Sequence, residues 1–444
     1  MNDCISAVAT APGTGGVAII RLSGNNALEI ASKMFIAFSK ISVCEFEPYK
    51  MYFGEILGDG FVDNGMCVYF KAPKSFTGED VVEFHCHGGV AITRGILNKT
   101  FELGARLATN GEYTKRAFLN GKLSLSSCEG LIDMINSESV TQIKSGFYLF
   151  KESLKVKITE IQQKLTDVLA QIDANIDYPE EGLIEDSGAE IKQKLLDVLP
   201  ELEQMVDSYS SGKIVADGVK VALVGKTNTG KSSLLNALTG EDKAIVTSVA
   251  GTTRDVVEAK LFIKGIKFNL FDTAGIRDTD DLVEKIGIER SNNLIKSADI
   301  VLFVTDTETF DCEDLSLLDK LDGKTVIKVY NKCDLNNFAT NDYDAVYISC
   351  KTKENLTSLK NKLFELGAKN INTDGEYITQ KRHYFALTEA ITALTSAINA
   401  IGVVPLDLVC ADIKECWLKL GEITGTTASE DIINEIFARF CVGK

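Results

Sequence analysis

The residues with the plainest chemistry are Gly225-Lys226-Thr227-Asn228-Thr229-Gly230-Lys231-Ser232. Glycines at both ends let a backbone wrap a phosphate closely, and successive N–H groups with a helix N-terminus then face the anion. Lys231 is placed to reach the terminal phosphates, and Ser232 to put a hydroxyl on Mg²⁺. An apolar run, Val219 to Val224, precedes the loop, and Ser233 to Leu238 follows with helix-compatible spacing. Strand, glycine-bounded loop and helix form the context that a phosphate-cradling loop requires.

Three later stretches narrow the nucleotide to one base. Asp272-Thr273-Ala274-Gly275 follows the apolar run Ile266 to Phe271, where a metal-associated aspartate and a glycine sensing the last phosphate belong. Asn331-Lys332-Cys333-Asp334 follows Val326 to Tyr330, and its aspartate can accept hydrogen bonds from both N1 and N2 of guanine. Ser349-Cys350-Lys351 follows Val346-Tyr347-Ile348 and fits a loop closing over the base. Singly these are ordinary turn residues at strand ends. In this order, each behind a strand, they predict a GTP-binding domain.

Two positions raise a catalytic problem. Ile276 stands where small regulatory GTPases carry a water-orienting glutamine, and it has no polar atom. Asn228 sits beside the phosphates, where an amide oxygen can ligate a monovalent cation and so supply the charge of an arginine finger. The carboxylates Asp278, Asp280, Asp281, Glu284 and Glu289 follow and, by base rate, are mostly solvated.

The elements that must position these groups fill a chain of 444 residues, enough for two or three domains with real cores. The formal net charge of −16 rules out a surface that attracts nucleic acid everywhere, so an RNA contact needs a local basic patch or a partner. Eleven cysteines without paired spacing, and no signal peptide, predict a reducing cytoplasm. No apolar run approaches a membrane span. His85-Cys86-His87 hints at metal, but alternation along one strand is the simpler reading.

Residues 1–121 read as an α+β unit. Strands are expected at Val17–Leu22, Met51–Leu57, Met66–Phe70 and Val81–His87, with helices at Ala27–Phe38 and Ile92–Leu103. Pro12 to Gly16 leading to Arg21, Phe76 to Asp80 and Gly111 to Arg116 read as turns and exposed charges. Residues 136–175 are helical in period, with Ile158, Ile161, Leu165, Val168, Leu169 and Ile172 on one face, and suit a bundle. Tyr178 to Gly182 breaks the pattern, Ile191 to Val206 resumes it, and Ser208 to Gly212 reads as a linker. Helical periodicity returns at Tyr384–Ile401, Asp407–Leu420 and Ser429–Phe440. The expected organisation is a P-loop α/β domain at 213–371, of doubly wound Ras-like type, inserted into a discontinuous helical domain at 122–212 and 372–444.

This chain resembles the MnmE (TrmE) family of tRNA-modification GTPases along essentially its whole length. The resemblance is carried by Gly-Gly-Val-Ala-Ile-Ile-Arg-Leu-Ser-Gly at 15–24, Phe-Thr-Gly-Glu-Asp-Val-Val-Glu at 76–83 and Glu-Tyr-Thr-Lys-Arg-Ala-Phe-Leu-Asn-Gly-Lys at 112–122. The GTP motifs with Gly-Thr-Thr-Arg-Asp at 251–255 and Phe-Cys-Val-Gly-Lys at 440–444 complete it. Thr227, Thr14 and Val442 depart from the usual proline, basic residue and isoleucine.

The resemblance implies a homodimer binding a tetrahydrofolate derivative (5-formyl or 5,10-methylene) at Arg21, Glu83, Lys122 and Lys444. It implies GTP contacts at Asn228, Thr229, Gly230, Lys231, Ser232, Ser233, Thr247, Ser248, Val249, Ala250, Gly251, Thr252 and Thr253. Further GTP contacts fall on Asp272, Thr273, Ala274, Gly275, Asn331, Lys332, Asp334, Ser349, Cys350 and Lys351. Mg²⁺ ligands fall on Ser232 and Thr253, and K⁺ ligands on Asn228, Thr247, Val249 and Thr252. Glu284 matches the water-positioning glutamate, and Cys441 the cysteine of the terminal motif. From the residues alone, Cys441 also reads as a small apolar residue in the last helical turn, with only Lys444 near enough to activate a thiolate. The implied activity is modification of carbon 5 of the wobble uridine, position 34, of certain tRNAs. It joins a folate one-carbon unit to an amine, in the cytoplasm, with the FAD-binding partner MnmG (GidA). A switch GTPase in ribosome assembly shares the central motifs, but it should carry an RNA-binding module after the GTPase domain, where helices stand here.

Overall fold

The computed structural model describes residues 3–177, 184–240, 259–272, 293–319, 321–335, 338, 344–369, 371 and 376–444. The chain divides into two compact units. The first comprises Met1–Ile132, Phe147–Leu199 and Ala386–Lys444, and the second Asp133–Gly146 and Pro200–Phe385.

The N-terminal elements are β1 (Ile5–Val8), β2 (Gly15–Ser23), α1 (Ala27–Ser32), β3 (Phe35–Ala37), β4 (Met51–Leu57), β5 (Val62–Phe70), β6 (Val81–Gly88), α2 (Val90–Glu102), β7 (Arg106–Leu107) and α3 (Glu112–Leu119). They build a seven-stranded sheet in the order β3-β4-β5-β6-β2-β1-β7. Alternation puts Ile20, Leu22 and Phe84 into a core shared with Ile30 of α1 and Ile96 of α2. The helix expected at Ala27–Phe38 stops at Ser32, because Phe35–Ala37 pairs with β4 instead. Phe35 then packs edge-on against Phe46 and stacks on Phe84, so tertiary burial overrides the local period.

The helices that follow are α4 (Leu125–Ile135), α5 (Val140–Phe150), α6 (Ser153–Asp177) and α7 (Ile184–Asp217). The helical stretch expected over 136–175 is therefore broken, at a turn where Glu152 takes φ 62°. Ile158, Ile161, Leu165, Val168 and Ile172 are buried as the period requires, and Leu169 is half-buried.

The expected linker Ser208–Gly212 is instead part of α7. Ser208 Oγ donates to the Met205 carbonyl at 2.6 Å and accepts from the Ile378 N–H at 3.1 Å, and Ser210 Oγ donates to the Asp207 carbonyl at 3.2 Å. Gly212 lies where a Cβ would meet the Ile378 carbonyl oxygen at 2.2 Å, so its missing side chain serves close packing rather than a turn.

The second unit holds β8 (Val219–Val224), α8 (Lys231–Thr239), β9 (Ala259–Ile263), β10 (Ile266–Asp272), β11 (Ile300–Thr305), α9 (Cys312–Asp319), β12 (Thr325–Tyr330), β13 (Ala345–Tyr347) and α10 (Leu356–Ala368). Its sheet runs β13-β12-β11-β8-β10-β9, parallel except for β9. Helices α11 (Lys381–Ala400), α12 (Leu406–Thr424) and α13 (Glu430–Ala438) end the chain. In the first unit Gln162 of α6 donates to the Trp417 carbonyl of α12 at 2.9 Å. Among the described residues no helix is long and apolar enough to cross a membrane.

Candidate functional site

A doubly wound sheet gathers loops at the carboxyl ends of its parallel strands, and Gly225 to Ser232, Asp272, Asn331 to Asp334 and Ser349 to Lys351 lie at such ends. Gly225 leaves β8 at φ 151°, where a Cβ would strike the Val304 carbonyl oxygen at 2.1 Å. Gly230, at φ 96°, faces Asn331 Nδ2, which a Cβ would approach to 2.2 Å. Only glycine fits either position, so the loop's spacing is dictated by its packing.

Lys231 opens α8 and is buried, its ammonium donating to the carbonyls of Gly225 at 2.7 Å and Lys226 at 2.5 Å. Burial lowers its pKa, with the Asp272 charge opposing. Ser232 Oγ donates to Asp272 Oδ2 at 2.8 Å, bringing the helix start to the end of β10. Two hard oxygens this close suit Mg²⁺. Ser233 is exposed on the same turn, and Asn228 takes φ 66° at the loop tip.

The base-recognition motifs join the same loop. Asn331 donates from Nδ2 to the Thr229 carbonyl at 2.9 Å and accepts from the Cys350 N–H at 3.3 Å. Lys332 Nζ donates to the Asn228 carbonyl at 3.1 Å and to Asp306 Oδ2 at 2.6 Å. Ser349 Oγ donates to Asp334 Oδ1 at 2.6 Å and accepts from the Thr352 N–H at 3.1 Å. Asp334 and Lys351 are exposed, Cys350 half-buried. Thr247, Ser248, Val249, Ala250, Gly251, Thr252, Thr253, Thr273, Ala274, Gly275, Ile276 and Glu284 lie outside the described residues.

In the first unit, Arg21 and Glu83 face each other across β2 and β6, with Nε 2.6 Å from Oε1. Phe76 and Tyr113 flank the guanidinium at 6.0 and 5.6 Å. Burial pushes the Glu83 carboxyl up, but nearby His85 and Arg21 hold it below its ordinary value. His85 Nε2 is buried without a hydrogen-bond partner, 3.4 Å from Glu83 Oε2. His87, two residues further along β6, has Nδ1 2.6 Å from Asp63 Oδ1.

The chain terminus reaches this pair. The Gly443 carbonyl accepts from Arg21 Nη1 at 3.5 Å, Val442 bridges Asn110, and the Gly111 N–H bonds the Cys441 carbonyl at 3.3 Å. Cys441 is exposed and lies beyond α13, which ends at Ala438, not in a last helical turn. Lys122 Nζ donates to the Pro73 carbonyl at 3.0 Å, and its Cγ is 3.4 Å from where a Cβ on Gly78 would lie.

The segments expected as turns and exposed charges are partly core. Arg116 is 1% exposed and bonded to Asp3, Glu79 and Glu112, while Ser23 donates to Glu79 at 2.7 Å. Local spacing pairs Arg116 with Glu112 four residues earlier on α3, but Asp3, just before β1, and Glu79 of the 76–80 loop come from distant sequence, which no local signal reveals.

Comparison with known proteins decides the family. A model described as the MnmE helical domain matches residues 125–441, and one described as GTP-binding protein TrmE N-terminus matches 4–122. The chain belongs to the MnmE family of tRNA modification GTPases. Family members named tRNA modification GTPase MnmE are 39% identical in Clostridioides difficile, over 100% of both chains, and 40% identical in Thermoanaerobacter pseudethanolicus, over 100% of this chain and 99% of that one. Among solved structures, Era of Aquifex aeolicus bound to GDP·AlF4⁻ is 26% identical over 39% of this chain and 66% of that chain, with a TM-score of 0.28. The G domain of T. maritima FeoB is 33% identical over 33% of this chain and 98% of that chain, with a TM-score of 0.26. Membership in the MnmE family carries a GTP-hydrolysing activity and does not favour the ribosome-assembly reading.

Proposed function

We propose that this protein is the GTP-hydrolysing subunit of a complex that modifies carbon 5 of the wobble uridine, position 34, of certain tRNAs. A tetrahydrofolate one-carbon unit and an amine would form the added aminomethyl or carboxymethylaminomethyl group. The observation that carries the reading is the docking of the terminal segment, with Cys441 and Lys444, onto the strand pair that holds Arg21 and Glu83. Cationic Arg21, Lys122 and Lys444 suit a glutamate tail, and Glu83 suits the pterin donors. His85 Nε2, buried 3.4 Å from Glu83 Oε2, offers a further polar atom to such a ring.

In the nucleotide domain Lys231 would bind the terminal phosphates, Ser232 and Thr253 would hold Mg²⁺, and Asp334 would select guanine. Asn228, Thr247, Val249 and Thr252 would hold K⁺, and Glu284 would orient water in place of the apolar Ile276. The metal ions would supply positive charge against the phosphates. The domain scheme is 1–121, 122–212 with 372–444, and 213–371.

Homodimer formation draws support from Ile36, Phe38, Met51, Phe53 and Met66, which are exposed on neighbouring strands β3 to β5 and the residue after β3. So large an apolar face on one sheet suits a second copy of the chain. The FAD-binding partner MnmG and a cytoplasmic location complete the proposal.

Nucleoside mass analysis of tRNA tests it. Cells lacking this protein should lose the modified wobble uridine, and cells carrying only Arg21→Ala should lose most of it. In calorimetry, Arg21→Ala should weaken 5-formyl-tetrahydrofolate binding while GTP affinity stays at wild type. Unchanged nucleosides in the deleted strain would end the proposal.

A further inference from the structure

The second residue of the phosphate loop makes contacts that the established motifs do not use. Lys226 extends its side chain away from the loop to α9, with Nζ 2.5 Å from Asp311 Oδ1 and 2.7 Å from Asp314 Oδ2. Asp314 is 1% exposed. The two aspartates also hold each other's backbone at the start of α9. The Asp314 N–H donates to Asp311 Oδ1 at 3.1 Å, and the Asp311 N–H to Asp314 Oδ2 at 3.3 Å. The ammonium thus joins a pre-formed pair of helix-start carboxylates, one of them buried.

The main chain of the same residue faces the other way. The Lys226 carbonyl accepts the Lys231 ammonium at 2.5 Å and Thr229 Oγ1 at 2.9 Å. One residue therefore bolts the loop to α9 by its side chain and seats the phosphate-binding lysine by its backbone. A buried aspartate left without its cation is costly, so the Asp314 half of this anchor holds more firmly than a surface ion pair. Asp311 foremost, with Asp314, raises the Lys226 pKa above its ordinary value.

We infer that Lys226, held by Asp311 and Asp314, is a positioning residue for nucleotide binding: it fixes the carbonyls and N–H groups of the phosphate loop before the nucleotide arrives. The inference rests on reading residues 225–232 as the nucleotide site. A loop fixed in advance binds more tightly because less ordering is left to the binding step. The contacts shared by GDP and GTP should suffer most when the anchor is cut, since the loop cradles phosphates common to both.

The test measures affinity of the full chain for a fluorescent GDP analogue, alongside steady-state GTP turnover. Lys226→Met should weaken GDP binding and raise KM about tenfold while kcat stays within about threefold of wild type. Lys226→Arg, whose guanidinium can span two carboxylates, should recover affinity to within about threefold. Wild-type GDP affinity in a folded Lys226→Met variant overturns the inference, and so does a loss that Lys226→Arg fails to recover. If Lys226→Met does not fold, Asp311→Asn decides, because Asp311 is exposed and its loss leaves Asp314 paired. Binding weakened about threefold supports the anchor, and unchanged binding refutes it. Absence of GDP binding by the wild-type chain would instead remove the nucleotide-site reading itself.

Discussion

Lys231→Ala should reduce GTP turnover by about a hundredfold to a thousandfold, the usual scale for removing one pre-placed donor from a developing charge. The expectation follows from its seat: the ammonium is buried and held by two loop carbonyls, so no solvent cation can take its place with the same geometry. Losing it also leaves those carbonyls with one donor fewer inside the loop. Single-turnover phosphate release, measured beside GTP affinity, separates the two effects. Turnover within tenfold of wild type at saturating GTP would show that the lysine does not serve the transition state. The same assay tests the K⁺ proposal, which starts from Ile276 and Asn228. Exchange of K⁺ for Na⁺ should slow turnover strongly, and equal rates would remove the cation from the reading.

The second large effect falls on stability. Arg116→Met should destabilise the N-terminal part of the chain by about 3–5 kcal/mol, the cost of breaking a buried ionic cluster by removing one partner. Asp3, Glu79 and Glu112 all converge on that guanidinium, and Arg106 joins through Asp3 and Glu112. Hydrogen exchange of residues 3–120, with urea unfolding of the full chain, reads the loss directly. Protection equal to wild type would mean that the cluster holds nothing.

A pH dependence accompanies it. Burial disfavours a charged Glu112, but Arg106, the Thr109 N–H and Arg116 outweigh it and bring its pKa from 4.5 to about 2. A carboxyl depressed on folding stabilises the native state above its unfolded pKa, and that contribution fades as pH falls through the folded one. Wild-type stability should therefore drop between about pH 4.5 and pH 2, and the Arg116→Met variant should show a shallower drop over that range.

Both predictions come from groups that the sequence treats very differently. The phosphate loop, Asp272, the Asn331 to Asp334 motif and Ser349 to Lys351 were legible in order, because each is a short pattern behind an apolar strand. Gly225 and Gly230 explain why such patterns are readable: the backbone there admits no Cβ, so the chemistry constrains residues close together in sequence. The Arg116 cluster reads as exposed charge in the sequence because its partners lie up to 113 residues away. No spacing rule records which carboxylates a folded sheet will bring beside an arginine.

The sequence by itself determined the guanine-nucleotide chemistry, the mixed α/β and helical character and, through its motifs, the family. Only the tertiary structure decided how distant stretches meet. It ended the first helix at Ser32 and gave Phe35–Ala37 to the sheet, and it carried α7 through Ser208–Gly212 against local turn preference. It set the terminal Gly443 against Arg21 and Lys226 against Asp311 and Asp314. The physical reason is one of scale. Local preferences are worth about 1 kcal/mol or less per residue, whereas burying an aromatic ring or pairing a buried charge outweighs several of them together.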